Sequence, residues 1–136
     1  MRRRSFTIWA VGAALLLPFS VSAHHGSAAF DAGKTVVLKG TVTEWIYSNP
    51  HCLLKLDVTG EDGRVVNWLA EGQAPNVIFP AGYRKGTFKP GDQVTVTVEP
   101  VKNNQPAGRI LQVVLANGTV LGRASSAGSD AAIERR

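Results

Sequence analysis

The 136-residue sequence predicts an all-β fold: a small OB-like barrel of five to six strands, with one short helix between the third and fourth strands. Three observations lead to this prediction. Short segments alternate apolar and polar residues, glycine and proline turns separate them, and one proline-containing helical segment follows the third strand. A small β-sandwich is the alternative with the same strand content. A single cysteine excludes an internal disulfide framework and a cysteine-rich zinc site.

The first strand is predicted over residues 35–47, which are rich in β-branched and aromatic side chains. Gly40 lies in its middle and indicates a bulge or a sharp bend, as the first strand of such a barrel requires. Ser48, Asn49 and Pro50 end the strand. The apolar positions of one parity, which we expect to be buried, are Val36, Leu38, Val42 and Ile46.

The second and third strands are predicted over 51–58 and 65–70, joined into a hairpin by the glycine-containing turn 59–63. Asn67 is expected to face water. Cys52 is expected to be buried as a small apolar side chain, because free cysteine is among the most buried residue types. The predicted inner face comprises Cys52, Leu54, Leu56, Val58, Val66, Trp68 and Ala70.

The second half of the chain contains the helix and the remaining strands. Residues 74–79 suit a short helix with Pro75 in its first turn, and Pro80 and Gly82 end it. The turn Lys89-Pro90-Gly91-Asp92 leads into the next strand. The fourth, fifth and sixth strands are predicted over 93–99, 109–115 and 119–121.

The first 23 residues read as a signal peptide. Three arginines precede an apolar run, and Val21-Ser22-Ala23 has the small residues of a cleavage site. The run is too short for a transmembrane helix, so we predict an exported protein, periplasmic or secreted, and not an integral membrane protein. General secretion and twin-arginine export both stay open. The barrel domain is then predicted over 24–121, with a disordered tail over 122–136.

Charge excludes one class of partner, and motifs offer no catalytic centre. Cleavage after Ala23 leaves 12 basic and 10 acidic residues, without the clustered basic footprint of a nucleic-acid-binding protein. No nucleotide-binding glycine loop appears, and no nucleophile, acid and base stand together in a recognisable order. We therefore expect a binding module that is not an enzyme and has no nucleic-acid partner.

The three histidines of the chain predict a metal site. Cleavage after Ala23 would make His24 the first residue, so its free amine and its imidazole form a chelating pair, with His25 beside it. His51 follows the break after the first strand, in a loop on the usual ligand side of such a barrel. Nitrogen ligands favour Cu(II), and Glu44 or Glu71 could add an oxygen. The alternative is that these histidines bind no metal and only hydrogen-bond their own loops.

A second hypothesis is a non-metal interaction domain. Trp45, Tyr47 and Tyr83, with Glu71, would then form an aromatic ligand surface for a small molecule or a protein partner. Such aromatic residues also serve as core or rim residues without any ligand.

Several motifs carry a resemblance to a known family. They include the start Ala23-His24-His25-Gly26 and the segment Asn49-Pro50-His51. The others are Phe30-Asp31, Gly40-Thr41-Val42-Thr43, Trp45, 68–71, Gly82-Tyr83, Phe88-Lys89-Pro90-Gly91-Asp92 and Asn117-Gly118. On these residues the chain resembles the small exported bacterial proteins called domain of unknown function 6152. The resemblance implies export, a small β domain and matching histidines at positions 24, 25 and 51, with no established activity.

Overall fold

The computed structural model describes residues 27–122, which form six strands, one short α-helix and two 3₁₀ turns. No helix in this part of the chain is long and apolar enough to cross a membrane. The 3₁₀ turns are Ser27–Ala29 and Phe79–Ala81, and the α-helix α1 is Pro75–Ile78. The strands are β1 (Val36–Ile46), β2 (Leu53–Thr59), β3 (Val65–Glu71), β4 (Gln93–Pro100), β5 (Ala107–Leu115) and β6 (Val120–Leu121).

The strands close into the predicted OB-like barrel. Their order is β3-β2-β1-β4-β5-β6, with antiparallel neighbours throughout. A parallel pairing of Leu69–Glu71 with Ala107–Arg109 joins β3 to β5 and closes a five-stranded barrel, to which β6 adds one short strand. The helix lies between β3 and β4, as the sequence indicates. It begins at Pro75, a residue type that suits the first turn of a helix.

Strand β1 serves two partners, and this requires a bend. Its first half pairs with β4 from Val36 to Thr41, and its second half pairs with β2 from Thr41 to Ile46. Gly40 lies at the change of partner, where a side-chain Cβ would come within 2.9 Å of the Asp57 carbonyl oxygen. Glycine suits this position because the β2 backbone lies too close to leave room for a side chain.

The bulge itself lies three residues beyond Gly40, which corrects one expectation. The β1–β2 register shifts between Val42 and Glu44, so the parity of the strand changes there. Trp45 consequently pairs with the buried Leu54 and packs against the core. Ile46, which the simple alternation placed inside, is only half-buried.

The β2–β3 hairpin forms as predicted, but in the described structure β5 pairs only with the last three residues of β3. Leu69 is the first residue of β3 whose N–H donates to the neighbouring β5 side, to the Pro106 oxygen at 3.0 Å. Because β5 covers β3 only from Leu69 onward, Val66 stays 41% exposed instead of facing the core as expected. Trp68 is half-buried, and Ala70 is fully buried.

The core lies between the curved sheet and the segment that follows α1. Its fully buried side chains come from all five barrel strands and from Cys52 just before β2, and Ile78, Tyr83 and Phe88 close one end. Cys52 is completely buried, as the sequence predicts. The largest fully buried side chains are Leu54, Leu56, Val42, Val96, Val98, Val113 and Cys52.

We expect Gly40→Ala to destabilise the barrel by about 1–3 kcal/mol, because the new methyl group must displace a backbone oxygen or the strand itself. Urea unfolding followed by circular dichroism measures this change in the free energy of unfolding. Gly86→Ala is the matched control, since no heavy atom lies within 4 Å of its Cβ position. Equal stabilities for the two variants would contradict the role given to Gly40.

Candidate functional site

A histidine and a glutamate meet at the end of the β2–β3 hairpin. His51 lies just before β2 and follows a cis peptide bond between Asn49 and Pro50. Glu71 is the last residue of β3 and the register partner of Leu53. The His51 Nδ1 atom lies 3.0 Å from Glu71 Oε1 and 3.2 Å from the Gly72 carbonyl oxygen. Hairpin register thus places the two side chains together.

This geometry fixes the tautomer of His51. Both neighbours of Nδ1 are hydrogen-bond acceptors, so Nδ1 carries the proton of the neutral imidazole. The lone pair then lies on Nε2. The His51 side chain is 48% exposed and the Glu71 side chain only 27% exposed. The arrangement matches the carboxylate–histidine pairs that orient metal ligands in proteins.

A cavity of about 330 Å³ adjoins the pair. Its apolar wall comes from the N-terminal segment and α1, and its polar wall comes from β3, β5 and the segment after β3. A much smaller recess lies next to it and reaches Tyr83 and Gly122. The residues that line the main cavity are Phe30, His51, Glu71, Gly72, Gln73, Ala74, Val77 and Arg109.

The charges around the cavity favour a cation. Arg109 is the register partner of Glu71 on β5, but its guanidinium is committed to Glu99 through Nε at 3.0 Å and through Nη2. Glu99 is the one charged residue buried in the part of the chain that the structure describes. With Arg109 and Glu99 neutralising each other, the Glu71 carboxylate gives the cavity its uncompensated negative charge.

The N-terminal segment is fixed to the barrel at this same cavity. Phe30 forms a bridge with Val101, and its ring lies 5.0 Å below the Arg109 guanidinium. The Asp31 N–H donates to the Pro100 oxygen at 2.8 Å. His24 and His25 fall outside the described residues. Five residues lie between His24 and Phe30, and a fully extended chain spans about 20 Å from the one to the other.

The other predicted metal donors lie elsewhere or are too few. Within residues 27–122, no three His, Cys, Asp or Glu side chains come together. Glu44 pairs with Lys55 at 2.5 Å and does not line the cavity of His51. Cys52, which was not predicted to be a donor, is buried in the core, whereas the adjacent His51 is exposed. Only His51 and Glu71 of the predicted donors are therefore brought together within the described part of the chain.

The predicted aromatic residues do meet, but mainly as part of the packing. The Trp45 ring lies 5.8 Å from Tyr47 and 6.3 Å from Tyr83, and Phe88 completes the cluster at 4.9 Å. Tyr83 is 2% exposed, and burial raises the pKa of its hydroxyl above the usual range.

The polar atoms of these three rings bond to backbone carbonyls. Trp45 Nε1–H donates to Arg84, the Tyr47 hydroxyl donates to Pro75, and the Tyr83 hydroxyl donates to Leu121. An external ligand would have to compete with these bonds. Trp45 and Tyr47, which are half-buried, are the members of the cluster that it could touch most readily.

Sequence reasoning missed Phe30, Glu99 and Arg109 as residues around the cavity. Glu99 and Arg109 meet only through the β4–β5 register, which pairs them directly. The available signal was weak: a glutamate and an arginine at the facing ends of two strongly apolar strands. Phe30 carried no signal except its place in the family resemblance.

Comparison with known proteins identifies the family. A model described as "Family of unknown function (DUF6152)" matches residues 14–110. No curated protein and no solved structure matches the chain.

We expect Cys52 to resist thiol reagents in the folded protein, because burial raises the pKa of its thiol and keeps it protonated. Labelling with iodoacetamide at pH 8, followed by mass spectrometry, measures this. Labelling should be complete in strong denaturant. Rapid labelling of the native protein would contradict the buried position.

Proposed function

Because the chain belongs to the DUF6152 family, whose function is unknown, we propose its role from its own geometry: an exported β-barrel module that binds Cu(II). The proposed ligands are the amine and imidazole of a mature N-terminal His24 and Nε2 of His51, with His25 close by. Glu71 orients His51. The module binds copper and is not an enzyme.

The single observation that carries the proposal is the His51–Glu71 pair. A carboxylate on Nδ1 holds the ring in place and leaves Nε2 as the free donor. The Nδ1 proton also contacts the Gly72 oxygen, so the ring is held by two acceptors instead of one. A histidine held in this manner is already ordered, so metal binding costs little further conformational entropy.

The number of available donors supports a site that includes the N-terminus. His51 and Glu71 alone are too few for a closed four-ligand site among the described residues. The N-terminal segment is fixed at Phe30, in the wall of the same cavity as His51. An amine and up to three imidazoles form a nitrogen-rich donor set, and such a set binds Cu(II) more tightly than other first-row divalent ions.

The electrostatics support a cationic ligand. The uncompensated charge of the cavity is the Glu71 carboxylate, while Arg109 is bound to Glu99. A divalent ion entering here meets an attractive field and displaces no strong ion pair.

The second candidate, a module that captures a small molecule or a protein partner on Trp45, Tyr47 and Tyr83, has less support. Tyr83 is buried, and all three rings already donate to backbone carbonyls. It makes a distinct prediction, since Trp45→Ala would abolish capture and removal of metal would change nothing.

A Cu(II) titration of two samples tests the N-terminal ligand. One sample begins at His24 with a free amine, and in the other the same amine is acetylated. We expect acetylation to weaken binding by at least about a hundredfold, because the blocked nitrogen can no longer chelate the ion together with the His24 imidazole. Calorimetry gives the affinities, and electron paramagnetic resonance counts the nitrogen ligands. Equal affinities would contradict the chelating N-terminus.

The barrel ligand is tested with His51→Ala in the sample that begins at His24. We expect at least about a tenfold loss of affinity and one fewer nitrogen in the resonance spectrum. If binding needs the free His24 amine but is indifferent to His51, copper is held by the N-terminus alone. That result would reject the proposed site on the barrel.

The orienting role of Glu71 is tested by Glu71→Gln, which keeps the side-chain volume but removes the charge. We expect Cu(II) binding about 10–100-fold weaker, as for other carboxylates that orient a metal-binding histidine. Glu44→Gln is the matched control, because Glu44 is paired with Lys55 away from the cavity. Equal effects of the two variants would show that the charge acts only through the overall field of the protein.

A further inference from the structure

We propose that residues 79–89, a segment with basic and aromatic side chains that we term the basic tip, dock the protein on an anionic phospholipid surface. The basic tip follows α1 and precedes β4, and it includes exposed Phe79, Arg84, Lys85 and Lys89. It contains motifs of the family resemblance that the copper site does not use.

Positive charge is concentrated at the basic tip. Four of the basic residues among residues 27–122 form ion pairs with carboxylates: Lys34, Lys55, Arg64 and Arg109. Five basic side chains in this part of the chain have no such partner, and three of them lie in the basic tip. Within residues 79–92 the acidic residue is Asp92, whose carboxylate accepts the Lys89 N–H at 2.8 Å. The surface therefore keeps a net positive charge.

An apolar group lies among these charges. Phe79 is 51% exposed, which is high for a phenylalanine next to a packed core. The Arg84 guanidinium stacks on its ring, with Cζ 3.5 Å from the ring centroid. An exposed ring beside cationic side chains suits the boundary between lipid headgroups and acyl chains, where aromatic and basic side chains are both energetically favoured.

The basic tip is held in one shape. The Arg84 Nη1 donates to the carbonyl oxygens of Phe79 and Tyr83, at 2.6 and 2.8 Å. The Arg84 N–H donates to Thr87 Oγ1, and Trp45 Nε1–H donates to the Arg84 oxygen. A surface ordered in advance loses little conformational entropy when it docks.

These features favour a lipid surface over nucleic acid. Binding of single strands uses several stacking rings along a basic groove. The basic tip offers one exposed ring, and the Arg84 guanidinium already covers one face of that ring. An anionic lipid surface is attracted by exposed cations beside an exposed ring and needs no groove.

Vesicle flotation tests the proposal. The protein is collected from the periplasm of an expressing bacterium, and mass spectrometry confirms that it begins at His24. Vesicles of phosphatidylglycerol and phosphatidylcholine are compared with vesicles of phosphatidylcholine alone. We expect binding only to the anionic vesicles, and a loss of at least about fivefold with Lys85→Glu. Phe79→Ala should also weaken binding, although it leaves the net charge unchanged.

Lys102→Glu is the matched control. It makes the same change of charge at an exposed residue beyond the opposite end of β4, about 26 Å away along the eight-residue strand. Its effect should be less than twofold. An equal loss in both charge variants, absence of binding, or equal binding to neutral vesicles would overturn the proposal. Binding of a single-stranded oligonucleotide without binding to vesicles would also overturn it.

Discussion

The double pairing of β1 is the constraint on which the rest of the structure depends. Strand β1 must pair with β4 and then with β2; it changes partner next to Gly40 and bulges before Glu44. This double pairing allows β3 to meet β5 in parallel and close the barrel. That meeting places Glu71 beside Arg109, and the β2–β3 hairpin brings His51 to the same edge. The candidate site is thus a product of barrel closure.

Much of the fold could be predicted from local sequence, because each strand carries its own alternation and each turn its own glycine or proline. The valines of β4 and the glycines of the 59–63 turn fix their elements without reference to distant residues. The bulge could not be placed, since Gly40 signals a bend but the extra residue depends on how β2 pairs. The burial of Val66 could not be predicted, because its alternation indicates an inward position but β5, the strand that covers β3, begins only at Ala107, opposite Leu69.

For the candidate site, too, single residues could be predicted but their contacts could not. His51 was identifiable because histidines are few in this chain, and Glu71 because it ends a strand. Their contact, and the Glu99–Arg109 pair beside them, depend on strand register over long separations in sequence. Aromatic residues were harder to interpret, because the same ring type serves both packing and recognition. Tyr83 packs in the core, while Phe79, which no motif distinguished from its neighbours, is exposed.

The attachment of Phe30 to the barrel has a consequence for the proposed copper site. In that site, the residues between His24 and Phe30 would make the meeting of His24 and His51 an intramolecular event, whose effective concentration is set by the length and stiffness of the connecting segment. Insertions or prolines in that segment would then change the affinity of the proposed site while keeping every donor atom.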